Sequence, residues 1–459
     1  MASLPEDMIV IIVSKLPVKS ISRFRCVCKR WCELFKNPKF IKTHLHHAIE
    51  NNKFSVLLDT NFAAYLIGSD DENRGVYKTI DFDLTSSLSY PMAVRTDLPQ
   101  DTFLPGYLRI YSCDGLIVLS TGSRKMICLW NPSTREYKDI PTPTSNLEGF
   151  SRYGVCYDWK IDDYKLFKLV ANPEFSITSE VWVSRLGSNS WNNIGNLSYN
   201  VNRSNNMCVK PLNGIIHWIG DTEVIVSFDI VEERTKEIQV PSCYLHDCRY
   251  SYEDMEVVVL GEELCLSVHP SGESNIELWI MKDYGVTDSW TKIFSLSRDT
   301  INFYMLLPLH YLNKNREILL QGLRLEGRDA LVSYNPKSGR LVALDIPGMP
   351  KHFNATTFVG SLVSLNSGEF VKASKISEVN TSAGAYKFFS LTVERAISEY
   401  WELRSRSFCL KWLNKSPCYE TGNGGSSTCC HHPRKKQQSM PGKGFLILST
   451  RGNVIRFSC

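Results

Sequence analysis

Apolar and polar residues alternate with the period of an α-helix over the first fifty residues. Apolar side chains recur there every three or four positions, at Met8, Ile9, Ile12, Val13 and Leu16, and then at Ile21, Phe24, Val27, Cys28 and Trp31. Ser3 and Glu6 stand at the spacing of a helix-capping box. Because proline ends or interrupts a helix, the pattern predicts a first helix that ends at Pro17, a second from Pro17 to Asn37, and a short third helix after it.

From residue 54 the period changes to two. Short apolar runs bounded by Gly, Asp, Asn and Pro recur as far as about Leu365. They start near residues 56, 113, 154, 212, 260 and 318, at spacings of roughly 40 to 60 residues, which is typical of the blades of a β-propeller. We therefore expect about six blades, with five or seven left open, and a strand after Asn354 that closes the ring onto the first blade.

The repeated units share one order of turns and strands. An Asn-Gly or Asp-Gly pair precedes an apolar strand, and a later turn contains Asn131-Pro132 in one unit and Asn335-Pro336 in another. Proline fixes φ in such a turn, and the asparagine side chain bonds the local backbone. Two further units carry tryptophan pairs across a hairpin, Trp182 with Trp191 and Trp279 with Trp290. We expect these aromatics to pack between sheets and not to bind a ligand.

Three blocks of the helical region carry a resemblance to a known family. They are Leu4-Pro5-Glu6-Asp7-Met8-Ile9, Leu16-Pro17-Val18-Lys19-Ser20, and Arg23-Phe24-Arg25-Cys26-Val27-Cys28-Lys29-Arg30-Trp31. In this order they resemble the F-box of plant F-box proteins, except that Ile11 stands where the family usually places Glu. The repeated units downstream resemble the type 1 F-box-associated domain, a kelch-like propeller, over about residues 100 to 365.

The resemblance implies a small all-α N-terminal F-box over residues 1–46, an all-β propeller-like domain over 54–366, and an extension of unknown structure over 367–459. It also implies a substrate-recognition subunit of an SCF-type E3 ubiquitin ligase. The F-box would bind a Skp-family adaptor and, through it, a cullin scaffold, while the propeller would bind an unidentified protein target. The residues at the family's adaptor-facing or core positions are Leu4, Pro5, Ile9, Ile12, Leu16, Pro17 and Val18.

Charge favours a protein partner over a nucleic acid. The 459 residues include 52 Lys and Arg and 48 Asp and Glu, a net charge of +4, which is far from the basic stripe of a nucleic-acid binder. Basic side chains nevertheless rim the apolar helical face, and such a face suits an acidic groove. The sequence has no apolar stretch long enough to span a membrane and no basic leader, so we expect a cytoplasmic or nuclear chain with reduced cysteines and no membrane partner.

Motifs for catalysis and metal binding do not support an enzyme. The phosphate-loop, nucleophile-elbow and His-Glu-x-x-His patterns do not occur. A substrate receptor of the kind that the resemblance implies would act by proximity and would need neither a catalytic residue nor a cofactor. Cys409, Cys418, Cys429 and His432 lack the paired spacing of a zinc site. His44, His46 and His47 are expected to be solvated, and His217 to be a satisfied strand residue. The alternative is a free-standing propeller that binds or processes a small ligand or glycan.

Overall fold

The computed structural model describes fifteen segments of the chain: residues 6–60, 77–81, 93–95, 108–121, 126–145, 151–171, 178–188, 190–199, 211–220, 224–244, 254–270, 275–324, 327–365, 445–450 and 453–458. Their contacts divide them into two compact units. The first unit holds residues 6–16 and 20–35 and the segments beyond 444, and the second holds 17–19 and the segments between 36 and 365.

Three short helices precede a longer one. They are α1 (Glu6–Ser14), α2 (Val18–Phe24) and α3 (Lys29–Leu34). The prediction of one continuous helix from Pro17 to Asn37 is therefore wrong. Cys28 adopts an extended conformation, and the resulting break lets Trp31 fold back onto Phe24, with the two rings edge to face at 5.3 Å. Burial of both aromatics favours the break over an uninterrupted helix.

Helix α4 (Pro38–Glu50) belongs to the second unit. The side chain of Asn37 caps it by accepting a hydrogen bond of 2.9 Å from the backbone N–H of Lys39, and proline occupies its first turn. Its buried residues form a stripe at helical spacing: Phe40, Ile41, His44, Leu45 and Ala48. The sequence predicts a short helix here, whereas α4 is 13 residues long. It ends at Glu50, four residues after the expected F-box boundary at residue 46.

Strands follow from residue 55. The first half comprises β1 (Ser55–Asp59), β2 (Tyr77–Asp81), β3 (Val94–Arg95), β4 (Leu108–Cys113), β5 (Leu116–Thr121), β6 (Met126–Asn131), β7 (Glu136–Pro141), β8 (Ser151–Asp158), β9 (Asp163–Ala171), β10 (Ser179–Arg185), β11 (Asn192–Leu197) and β12 (Ile215–Ile219). The second half comprises β13 (Val224–Asp229), β14 (Arg234–Gln239), β15 (Met255–Leu260), β16 (Glu263–Val268), β17 (Asn275–Met281), β18 (Trp290–Ser297), β19 (Met305–Tyr311), β20 (Ile318–Leu323), β21 (Ala330–Asn335), β22 (Arg340–Ala343), β23 (Asn354–Phe358), β24 (Phe445–Thr450) and β25 (Asn453–Ser458). A single helical turn, α5 (Arg298–Ile301), separates β18 from β19.

Six antiparallel sheets form the blades of a propeller in the described part of the second unit. In strand order they are β23-β1-β2-β3, β4-β5-β6-β7, β8-β9-β10-β11, β12-β13-β14, β15-β16-β17-β18 and β19-β20-β21-β22. Strand β23 contacts both β4 and β19, so the ring closes. It pairs with β1, with Val56 opposite Thr357. This confirms the predicted six blades and the closing strand after Asn354.

Local turn chemistry also follows the sequence. The Oδ1 atom of Asn131 accepts hydrogen bonds from two backbone N–H groups, those of Ser133 at 2.9 Å and Thr134 at 3.4 Å. Asn335 does the same for Lys337 at 3.0 Å and Ser338 at 3.2 Å. The two Asn-Pro turns are confirmed, and each reverses the chain between the third and fourth strands of its blade.

Candidate adaptor-docking helices and candidate propeller faces

The structure places the predicted adaptor-facing residues in different surroundings. Leu4 and Pro5 lie outside the described residues. Of the others, Ile9, Ile12 and Leu16 are half-buried in the first unit, while the exposed Pro17 and the half-buried Val18 belong to the second. No single pocket within either unit therefore gathers all of these residues.

Helix α1 presents apolar side chains to solvent. Ile11, where the family usually has Glu, is 48 % exposed, and Val27 in the turn before α3 is 46 % exposed. Val13 and Ser14 on the other side of α1 are buried, and the Ser14 hydroxyl donates a 3.0 Å hydrogen bond to the carbonyl of Ile11. An apolar helical face left partly open is the form expected of a surface that a protein partner covers.

One end of α4 is bonded to the third blade. Lys42 forms an ion pair with the carboxylate of Asp162, in the turn between β8 and β9, and donates a hydrogen bond of 3.3 Å to the Tyr157 hydroxyl. That hydroxyl donates in turn to Asp162. Burial, together with this carboxylate, raises the pKa of Tyr157, so the phenol keeps the proton that it donates.

The chain just after α4 is bonded to the sixth blade. The side-chain amide of Asn52 donates a 2.6 Å hydrogen bond to the carbonyl of Tyr311, the last residue of β19. The Phe54 ring stacks on His310 with 4.1 Å between the centroids. The segment that begins in α4 therefore has anchors on two different blades.

These two anchors lie on one face of the ring, at opposite sides of it. The inner strands of successive blades are related by rotation about the ring axis, so β8 and β19 run in the same direction and end on the same face. We call this face, at which Asp158 and Tyr311 end their strands, the helix face. The third and sixth blades are three steps apart in a ring of six. Residues 42 to 52 rise about 15 Å at helical pitch, and α4 therefore crosses the helix face near the mouth of the central channel.

The segment after β23 lies on the same face. The side-chain amide of Asn131 donates to the carbonyls of Ser361 at 3.2 Å and Val363 at 2.7 Å. The backbone N–H of Leu365 donates to Glu136 at 2.6 Å. A Cβ atom added at Gly360 would lie 3.2 Å from a methyl carbon of Val18, so Pro17 and Val18 stand next to this segment. The helix face thus carries α4, Pro17 and Val18, and residues 359–365.

The opposite face, where the inner strands begin, we call the loop face. Buried polar side chains join the strand ends there. Asp329 accepts hydrogen bonds from the backbone N–H groups of Arg324 at 3.2 Å and Phe353 at 3.3 Å, and His352 Nδ1 lies 3.3 Å from it. The Gln321 side chain bonds the carbonyl of Phe353 at 2.6 Å. These contacts attach the closing strand to the sixth blade.

The histidines depart partly from expectation. His44 is buried, and the expectation that it is solvated is wrong, because it lies on the stripe of α4 that faces inward. His46 Nε2 is 3.1 Å from Glu50, and its side chain is exposed. His217 is fully buried in β12, and its Nε2 lies 2.8 Å from the Tyr284 hydroxyl. Burial lowers the pKa of His217 to about 3, so this imidazole is neutral.

Among the described segments, no group of three or more His, Cys, Asp or Glu side chains has the arrangement of a metal site. The candidate zinc ligands from Cys409 to His432 lie outside the described residues. None of the described helices combines the length and apolarity needed to cross a membrane.

Comparison with known proteins identifies both parts of the chain. The profile of the F-box domain matches residues 1–43, and that of the F-box associated beta propeller domain matches residues 72–321, more than half of the chain. F-box protein CPR1 of Arabidopsis thaliana is 27 % identical over 402 residues, which cover 79 % of this chain and 89 % of that protein. An F-box/kelch-repeat protein of the same plant is 27 % identical over 362 residues, covering 74 % and 89 %.

Solved structures are more distant. TolB from Acinetobacter baumannii has 13 % sequence identity and a TM-score of 0.40, covering 67 % of this chain and 66 % of its own. A likeness this low bears on neither fold nor function. The two sequence profiles, their order along the chain and the six-bladed ring agree with one another, and the chain belongs to the plant F-box proteins that carry an F-box-associated β-propeller domain.

Proposed function

We propose that the chain is a substrate-recognition subunit of an SCF-type E3 ubiquitin ligase. Its F-box binds a Skp-family adaptor and, through it, a cullin scaffold, and its propeller holds a protein target for ubiquitination and proteasomal degradation. One observation carries this proposal: the F-box match ends within α4, and α4 is bonded directly to the propeller through Lys42 and Asp162. A docking module and a recognition module thus share one helix.

We propose that the target protein binds the loop face of the propeller. The helix face is crossed by α4 and carries residues 359–365, which leaves the loop face for a bound protein. Loops on a rigid ring are suited to recognition, because they vary while the scaffold positions them. No catalytic group is needed on this subunit, since holding a target lysine beside a charged conjugating enzyme replaces a bimolecular encounter with a local one.

The residues proposed to meet the adaptor are those of the three F-box blocks: Leu4, Pro5, Ile9, Ile12, Leu16, Pro17 and Val18. Partial exposure of Ile9, Ile12 and Leu16, together with the exposed Pro17, supports this role. Side chains that are already fully buried could not reach a partner. Complexes of this kind work in the cytoplasm and the nucleus, where we propose that the chain is located.

Co-purification with a Skp-family adaptor tests the proposal. The full-length chain is co-expressed with the adaptor, and the adaptor is expected to elute with it. The double substitution Leu16→Asp and Pro17→Ala should abolish this, because it places a charge in an apolar contact and removes the exposed proline. Val342→Asp, at a 39 % exposed position of the outer strand β22, is the control. Adaptor retained at the wild-type level by the double variant would show that the interface is assigned wrongly.

A further inference from the structure

A cavity of about 170 Å³ lies between the third and fourth blades, beside their outermost strands β11 and β14. Its apolar lining is formed by Val181, Ile194, Leu197 and Phe228, and Thr235 is one of the polar residues that complete it. Protein interiors are packed closely enough that few voids of this size remain. A cavity here therefore needs a reason, and the repeated blades supply one.

The outer strands of the third and fifth blades carry the same β-bulge. In each blade the register with the neighbouring strand skips one residue, which is Ile194 in β11 and Ile293 in β18. The residue that follows the bulge is Gly195 in the third blade and Phe294 in the fifth. Gly195 therefore stands at the position that Phe294 occupies two blades later.

The strands that face these two bulges are equivalent as well. Phe228 lies opposite Thr235 in the fourth blade, and Tyr334 lies opposite Leu341 in the sixth. Each of the two aromatic residues directly precedes an Asp or Asn whose side chain accepts hydrogen bonds from the next turn. The joint between the third and fourth blades and the joint between the fifth and sixth thus have the same construction.

An aromatic ring fills the joint between the fifth and sixth blades. Phe294 is 4 % exposed and meets the Tyr334 ring edge to face, with 4.8 Å between the centroids. Phe228 is also buried, but no other ring lies against it in the part of the chain that the structure describes. Gly195 cannot supply one, and a Cβ atom added there would have no atom within 4 Å. The cavity therefore lies where the equivalent joint holds a phenylalanine ring.

Hydrogen bonds between the two blades keep the cavity from closing. The Lys165 ammonium of β9 donates a bond of 3.1 Å to the carbonyl of Ile230, after β13. The Tyr199 hydroxyl, after β11, donates to the Glu237 carboxylate of β14. A movement of one blade toward the other that filled the void would have to disturb these bonds, which is why such a cavity persists.

We propose that this cavity is a binding site for a single neutral aromatic ring. The ring would lie against Phe228 as Phe294 lies against Tyr334. An apolar cavity of about 150 Å³ is known to bind benzene, so the volume here suits one ring. A small molecule and a phenylalanine side chain of a polypeptide partner both offer this ring. The proposal goes beyond the proposed function and does not depend on adaptor binding.

Methyl NMR of the full-length chain, labelled at Ile, Leu and Val, tests the proposal. The probes are toluene and the capped peptide acetyl-Ala-Phe-Ala-amide, with acetyl-Ala-Ala-Ala-amide as the control. Because one ring buries little surface, we expect a millimolar dissociation constant. Toluene or the phenylalanine peptide should shift the methyl signals of Val181, Ile194 and Leu197. The signals of Leu278 and Ile293, in the joint that Phe294 already fills, should not move.

Two variants with the same new side chain accompany this titration. Thr235→Trp, opposite Phe228, should weaken binding of the probe by about tenfold or more, because the indole leaves no void for a second ring. Tyr137→Trp is the control, since Tyr137 holds the matching position opposite Trp130 in the second blade. This variant should bind the probe like the wild-type chain.

The outcomes separate the possibilities. Tighter binding of the phenylalanine peptide than of toluene assigns the site to a polypeptide partner, and the reverse assigns it to a small molecule. The proposal is overturned if neither probe shifts the signals of Val181 and Ile194, if the alanine peptide shifts them equally, or if Thr235→Trp binds like the wild-type chain. Failure of the wild-type chain to bind the adaptor would overturn the proposed function and leave this result unchanged.

Discussion

Asn131 offers a measurable test of how residues 359–365 are held on the helix face. Its side chain is fully buried and makes four hydrogen bonds, two donated to the carbonyls of Ser361 and Val363 and two accepted from the backbone of its own turn. Asn335 stands in the same Asn-Pro turn of the sixth blade, is half-buried, and accepts two turn hydrogen bonds. Comparison of the two asparagines therefore separates the contribution of the turn hydrogen bonds from that of the hydrogen bonds to Ser361 and Val363.

The expected magnitudes follow from these bonds. At a net contribution of about 1 kcal/mol for each hydrogen bond, Asn131→Ala should lower the free energy of unfolding by about 4 kcal/mol. Asn335→Ala removes only the turn bonds and should cost about 2 kcal/mol. The difference of about 2 kcal/mol is attributable to the bonds that reach Ser361 and Val363, and corresponds to roughly 2 to 3 °C in unfolding temperature for a chain of this length.

Urea unfolding of the full-length chain, followed by tryptophan fluorescence, measures both variants. The buried Trp130 is next to Asn131 in sequence and reports on the second blade. The slope with urea should be equal in the two variants, since each exposes the same surface on unfolding. Equal losses of stability for Asn131→Ala and Asn335→Ala would show that the hydrogen bonds to Ser361 and Val363 contribute nothing to the free energy of unfolding.

Three further predictions concern the same ring. Gly115→Ala should lower the free energy of unfolding by about 2 kcal/mol or more, because φ of Gly115 is +81° and the added Cβ atom would overlap the carbonyl oxygen of Val359. An unchanged urea midpoint would contradict this prediction. Lys42→Ala should speed amide hydrogen exchange in α4, and the loss of about 1 kcal/mol in the free energy of unfolding should be smaller at high salt. Asp162→Asn should have the same two effects. Equal exchange protection in the wild-type chain and both variants would show that the ion pair does not hold the helix. Because the pKa of His217 falls from 6.5 to about 3 on folding, only the unfolded chain gains its proton as pH falls below 6.5. The free energy of unfolding should therefore fall by up to about 1.4 kcal/mol per pH unit as pH is lowered from 6.5 to 3. His217→Gln should reduce this dependence on pH, which urea unfolding at a series of pH values measures. The same dependence on pH in the variant and the wild-type chain would contradict the prediction.

Local signals in the sequence were sufficient for most of the ring. The period of two, the Asn-Gly and Asp-Gly pairs and the Asn-Pro turns act over a few residues, and they predicted six blades and the closing strand β23. Asp114 and Gly115 both adopt positive φ, at 52° and 81°, as a tight hairpin turn requires. Turns and strands that depend on residues close in sequence can therefore be predicted from the sequence alone.

Contacts between distant residues could not be predicted in this way. The ion pair of Lys42 and Asp162 joins residues 120 positions apart, and neither residue stands in a pattern that marks it. Trp279 lies opposite Lys292 and Trp290 lies opposite Met281, and a register shift falls between Leu278 and Trp279. Such a shift depends on packing across the whole blade. The candidate adaptor residues were predicted from the F-box blocks, but the way α4 is anchored across the helix face was not.

Assembly with adaptor and cullin tests the central claim most directly. The full-length chain, a Skp-family adaptor and the amino-terminal part of a cullin are mixed, and the mass of the complex is measured by size-exclusion chromatography with light scattering. We expect one species that contains all three proteins, and we expect the double variant Leu16→Asp and Pro17→Ala to be lost from it. A wild-type chain that elutes alone beside an adaptor–cullin complex would contradict the proposed function.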